Sequence, residues 1–322
     1  MTNNLVIATQ RGMKFFRRIN DYWEERDYSL TSVELTALDM VGDVGLAGSK
    51  DGVYITHDAG QSWIMDSKGI LTKHIRWVRI HPEDQRYFYV GTEPANIYSK
   101  RISESAWHQS QEIPPLRDAN KWFMPYSPNP GCVRGFAFHG SRLYAAVEVG
   151  GLLVSDDYGD HWELVSGSTG KPRQSPTEGQ LHPDVHSVDT HQASQDLVFA
   201  PTGGGFYSSV DGGATFSLKY DCYCRAVWVD PENSNHLVLG PADGVSRGGR
   251  IEETKDGGET WHLIMDSIEE RWQDTMVERF IASDGEIFAV LSNGKLLTAK
   301  TADFSWQYLL PGIQNAVMLT LI

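Results

Sequence analysis

The sequence predicts an all-β fold: a seven-bladed β-propeller of four-stranded antiparallel blades, forming one domain over residues 1–322. The expectation rests on a recurring phrase, an aromatic residue that returns with it at a near-constant interval, and short alternating strands between the marks. The phrase reads THDAGQSW at 56–63, SDDYGDHW at 155–162, SVDGGATF at 209–216 and TKDGGETW at 254–261. Worn versions, SKRISESAW, TAKTADFSW and FFRRINDYW, end at Trp107, Trp306 and Trp23. The aromatic marks at 23, 63, 107, 162, 216, 261 and 306 are spaced by 40, 44, 55, 54, 45 and 45 residues. Running from Trp306 off the C-terminus and back to Trp23 gives 39, which fits the period only if the chain closes into a ring.

Each interval holds four short strands, as in VELTALDMV, DVGLAGS, GVYITHD and SWIMDS, parted by Gly, Asp, Asn and Pro turns. The last segment, NAVMLTLI at 315–322, has one strand, and LVIATQ, GMKFFRRI and WEERDY at the start have three. One plus three makes a closing blade from 315–322 and 1–30, which removes the open sheet edge. The other blades are expected near 32–70, 74–113, 131–168, 184–221, 223–266 and 276–313. No helix-period segment of useful length competes.

The recurring phrase falls between the third and fourth strands. Asp58, Asp157, Asp211 and Asp256 can accept backbone N–H groups of their own turn, and Gly60, Gly159, Gly213 and Gly258 can take the positive φ that closes it. The aromatic then packs between blades. These motifs are read as structural, not catalytic.

The phrase resembles the Asp-box, or BNR repeat, of sialidases, xyloglucan-degrading hydrolases, sortilin-type receptors and photosystem II assembly propellers. Three copies match well, with His161 replacing the usual Ser or Thr in one, and the fourth ends in Phe216. GTEPANIY at 91–98, VEVGGLLVSDD at 147–157 and HPDVHSV at 182–188 are similar to phrases of bacterial BNR-repeat, glycosyl-hydrolase-like proteins. The resemblance implies a propeller and leaves activity open, because propellers host many unrelated functions. The sialidase Arg-Ile-Pro phrase has a counterpart in RRIN at 17–20, which lacks the proline and runs toward the wrong face. The family's three-arginine clamp maps onto Arg76, Arg134 and Arg225 without its local context, so a classical sialidase is not expected.

A formal charge of −14 argues against nucleic acid or anionic lipid as the main partner. The chain has no apolar run long enough to span a membrane and no signal-peptide pattern at its start, so a cytoplasmic location is expected. Three cysteines, Cys132, Cys222 and Cys224, make no disulfide framework.

Chemistry is expected on the face opposite the Asp-boxes. Two insertions, 114–130 and 166–183, flank the third complete blade as lids or surface excursions. Trp122, Phe123 and Tyr126 either wall a pocket or anchor the first insertion. The turns between second and third strands supply Glu93, Glu148 and Asp243. Innermost strands begin with Arg76, Arg134, Arg225 and Arg279, with His186 in the equivalent place and Tyr223 beside Arg225. The arginines either grip a carboxylate or phosphate, or pair with Glu93 and Glu148 along a polar channel. As an enzyme, the site would use Glu93 or Glu148 with a raised pKa as general acid, with a second carboxylate or His186 as base and Tyr223 near by. As a metal site, His182, Asp184 and His186 of HPDVH would act with the cysteines, although no CxxC pair is present. No cofactor is required by the sequence.

Two functions follow. One is a small-molecule-binding propeller for an anionic or sugar-like ligand, as a hydrolase, lyase or cyclase if catalytic. The other is a non-catalytic protein-interaction scaffold or assembly factor.

Overall fold

The computed structural model describes residues 4–20, 22–265, 267–268 and 271–322. Seven four-stranded sheets make a seven-bladed β-propeller. In the closing blade Ala316–Leu321 is innermost, followed by Asn4–Thr9, Gly12–Ile19 and Tyr22–Ser29. Its seam is antiparallel and pairs Leu5 with Leu321, Ile7 with Leu319 and Ala8 with Met318. The other innermost strands are Leu35–Val41, Ile75–Ile80, Cys132–His139, Asp189–His191, Tyr223–Asp230 and Val277–Ser283. No helix among the described residues is long and apolar enough to cross a membrane.

The aromatic period has a packing cause. Seven of the apolar clusters each take one of the marks: Trp162, Phe216, Trp306 and Trp107 are buried, and Trp23, Trp63 and Trp261 are partly buried. In one, Trp162 packs with Tyr89 and Ile97 of the preceding blade and Val133 and Leu153 of its own. A ring of this size buries about 150–250 Å². Deleting one from a closed core costs about 3–5 kcal/mol. Between blades the backbones also approach closely. A Cβ on Gly91 would lie 2.5 Å from Val133, so the second strand needs glycine where the next blade's inner strand leans on it.

The recurring turn is built the same way four times. In the first copy Thr56 Oγ1 donates to Asp58 Oδ1 at 2.7 Å and accepts the Gly60 N–H at 3.0 Å. Asp58 accepts the Ser62 N–H and hydroxyl, and Trp63 Nε1 donates to the Gly60 carbonyl. Asp157, Asp211 and Asp256 repeat the pattern. Hydrogen bonds from Ser62, first through its hydroxyl, hold the Asp58 carboxyl down to about 2. The closing glycine has φ near +83° at Gly60, and the residue before it is also left-handed, at Ala59, Tyr158, Gly212 and Gly257. That second requirement explains the Gly-Gly pair in two copies.

The first insertion, read from sequence as a loop over 114–130, begins with a short helix, Ile113–Asn120, whose first residue was assigned to the preceding blade. Pro114 and Pro115 occupy its first turn, where no intrahelical N–H is needed, and Lys121 closes it in the left-handed region.

Candidate functional site

A repeated irregularity shapes the channel. In five blades the innermost strand slips register after its first or second paired residue, and the skipped residue is Thr36, Arg76, Arg134, the Arg225–Ala226 pair, or Glu278. A bulge re-aims a side chain out of the sheet's alternation. Here it supplies polar groups to the channel while the neighbours stay in the core. His186 holds the matching place in the fourth blade, just after Val185 bridges to Thr202. A second ring comes from residues at or one position past the ends of the second strands: Gln10, Lys50, Glu93, Glu148 and Ser292.

Part of these rings, without Glu148, His186 and Arg225, lines a cavity of about 690 Å³ at the channel mouth opposite the recurring turns. Its wall includes Lys50, Arg76, Glu93, Arg134, Glu278 and Arg279, with Tyr126 and Ser127 from the first insertion. A second cavity, about 620 Å³, opens toward the other face between Trp77, Phe136, Phe138, Asp189 and Phe280. Glu278 and Arg279 border both and form the partition.

The partition is a chain of ion pairs. Glu148 Oε2 accepts Arg134 Nη1 at 2.8 Å, and Tyr126 donates its hydroxyl to Oε1 at 2.8 Å. Arg134 Nη2 reaches Glu278 at 3.3 Å, and Arg225 Nη1 donates to the same carboxylate at 2.6 Å. Arg225 also donates twice to the Tyr223 oxygen, at 3.0 and 2.7 Å. Glu93 accepts from Arg76 at 2.9 Å and Ser127 at 2.5 Å.

Arg279 differs. Its guanidinium carbon lies 4.0 Å from the Trp77 ring centre, and its Nε donates to the Val317 carbonyl at 3.2 Å. Among the described residues no carboxylate lies within ion-pair distance of it. Burial first, then Arg134, against the pull of Glu278, push its pKa down to about 9. Such a shift marks a cation taken out of water beside another cation, with Glu278 offsetting it only in part.

The expectation of a raised general acid is overturned. Burial would raise Glu148, but the charge and hydrogen bond of Arg134, with the hydrogen bond from Tyr126, hold the carboxyl well below its ordinary range. At Glu93 the hydrogen bond from Ser127 and the charge of Arg76 likewise outweigh burial. Both are ionised acceptors at neutral pH, not proton donors. In the second cavity the sign reverses, since burial pushes Asp189 up to about 6. A carboxyl raised in the folded state costs stability as pH climbs from its unfolded pKa, near 4, through its folded one. Asp189→Asn is therefore expected to stabilise by about 1–2 kcal/mol at pH 7, discounted for partial exposure. The gain over wild type should vanish by about pH 4, and paired urea titrations at both pH values read it.

Other expected residues fall elsewhere. Trp122 is not a pocket wall: its ring is buried in a core cluster, and Nε1 donates to the Gly170 carbonyl at 2.8 Å. Asp243 lies outside both cavity linings and pairs with Arg250 and Arg271, because the ladder puts Ala242 opposite Tyr223 and carries Asp243 one residue too far. The second insertion does not cover the cavity. Gly167 donates to the Gly213 carbonyl and Gly179 accepts from Phe216, so it packs along the outer seam of the next blade. His182 Nδ1 accepts the Asp184 N–H and does not join His186 in a ligand set. Cys132 and Cys224 are buried thiols, burial pushing both upward in pKa. Glu278 was missed in the sequence, although four rim arginines demanded a carboxylate and it adjoins one of them.

A propeller with a charged, partitioned channel is thus the class of protein that fold and site define. Solved propellers agree at the level of fold. The chain is similar to YCF48 bound to D1 peptide, with a TM-score of 0.63 and 14% identity over 96% of this chain and 88% of that one. It is also similar to the GH74 xyloglucanase from Xanthomonas campestris, at 0.63 and 13% over 86% of this chain but 45% of that one. A chain of a mitotic checkpoint complex matches at 0.58 and 13%, over 86% and 76%. Neither a protein-family model nor a curated protein sequence matches the chain.

Proposed function

We propose that this protein is a binding propeller whose cavity opposite the recurring turns captures a carboxylate-bearing small molecule. Arg279 carries the reading. It is a stacked cation at the cavity floor, without a carboxylate partner among the described residues, while Arg76, Arg134 and Arg225 are each paired. Its free guanidinium edge offers the bidentate geometry that a carboxylate matches. Lys50 and Arg76 also border the cavity but are paired with Glu34 and Glu93, and the Tyr126 and Ser127 hydroxyls at the lip donate to Glu148 and Glu93, which leaves Arg279 as the cation to be met. The Asp-box resemblance supports the frame, and its hydrolase members make a sugar acid a sensible ligand class. The low pKa of Glu93 and Glu148 argues for binding over acid-catalysed glycoside cleavage.

Calorimetry with glucuronate, glucose and acetate as probes tests this. Glucuronate should bind, glucose should not, and Arg279→Ala should weaken glucuronate at least 30-fold while keeping the wild-type melting curve. Equal binding of glucose, or unchanged affinity in the variant, would sink the anionic reading. A scaffold role is the second reading, favoured by the likeness to a propeller solved with a peptide. A partner whose binding ignores Arg279→Ala would support it.

A further inference from the structure

We propose a divalent-metal site at the junction of the third and fourth blades, built from Glu148, Asp184 and His186. One donor atom from each of the three lies within 4.8 Å of the other two. The histidine is set for the task. A carbonyl can only accept, so the 2.8 Å contact between His186 Nδ1 and the Cys224 carbonyl puts a proton on Nδ1. Its Nε2 then faces Asp184 Oδ2 at 3.2 Å and the Tyr223 hydroxyl at 3.5 Å, and the nitrogen–carboxylate contact calls for a cation between them, either a metal ion or a proton. A separation of 3.2 Å matches two ligands at about 2.1 Å from one ion, at an angle of roughly 100°.

The surroundings hold each donor in place. Asp184 Oδ1 accepts the Val149 N–H at 3.2 Å, leaving Oδ2 toward His186. Tyr126 fixes Glu148 through Oε1 and Arg134 through Oε2, so a metal ion would share one of these oxygens with its hydrogen-bond donor. The His186 ring is buried, with Nδ1 tied to backbone, which is the outer bonding that orients metal-bound imidazoles. One nitrogen and two carboxylate oxygens suit zinc or manganese better than magnesium or calcium, which favour oxygen alone. Three protein ligands leave positions open for water. Glu148 is not part of the cavity wall around Arg279, so the site stands apart from the anion pocket.

The competing occupant is a proton, which would make His186 an imidazolium paired with Asp184. Equilibrium dialysis of the metal-stripped full chain against Zn²⁺, with metal analysis, separates the two. One equivalent of saturable zinc is expected, with Mg²⁺ failing to compete. Asp184→Asn and His186→Gln should each weaken zinc at least 100-fold, and His262→Ala, at an exposed histidine, should not. Should either variant misfold, Co²⁺ added to wild type gives a second measurement, since ligation must shift the His186 ring signals in NMR spectra. Substoichiometric zinc, affinity unchanged in Asp184→Asn, or a His186 ring that stays doubly protonated with metal present would overturn the proposal.

Discussion

A chain ending at Asn315 is expected to lose cooperative folding. Removing 316–322 strips the inner strand from the closing blade and uncovers Asn4–Thr9, whose Leu5, Val6, Ile7 and Ala8 are fully buried. Leu319 and Met318 leave the core with it, each worth about 1.5–3 kcal/mol, and the seam's backbone pairing goes too. The sum approaches the about 5–15 kcal/mol that a whole domain commands. Thermal melts followed by circular dichroism should show a broad transition or none, and a peptide of residues 315–322 added in trans should restore a sharp one. A truncated chain melting within a few degrees of wild type would disprove the ring seam as a source of stability.

Glu278→Ala should cost about 3–5 kcal/mol, because it removes the carboxylate that pairs with Arg225 and the second partner of Arg134, which keeps Glu148. Glu278→Gln should cost less, since an amide still accepts. Urea denaturation reads both, and a loss under 1 kcal/mol would mean that Arg134 and Arg225 find other partners. The same carboxylate sets a pH response. Its pKa is held low by Arg225 and then Arg134 against burial, as Glu148 is by Arg134. Groups depressed on folding stabilise fully above their unfolded pKa and lose that contribution as pH falls through the folded one. The wild type should therefore weaken only below about pH 4, and Glu278→Ala should show a shallower acid limb.

The ring was legible because its packing is periodic: one aromatic per blade, one turn grammar, one missing strand to be shared. The channel was harder, since its residues are displaced by register shifts that sequence does not announce. Lining up ERFIAS on its arginine pointed to Arg279, while the ladder skips Glu278 beside it. PADG looked equivalent to GTEP, yet the pairing of Tyr223 with Ala242 moves Asp243 off the channel. Trp122 could not be resolved either, because its hydrogen-bond partner, Gly170, lies in the other insertion. Nothing near 184–186 showed that Glu148 would meet His186, as that meeting depends on how two blades abut.

A side chain that no ladder partner constrains can be exchanged without shifting the sheet beneath it. The skipped residues and the strand ends beside them thus act as an alphabet written on a fixed frame, two letters to a blade. Rewriting those letters would alter the channel while leaving the aromatic staples in place, so propellers sharing 13% identity can keep one frame around unlike channels.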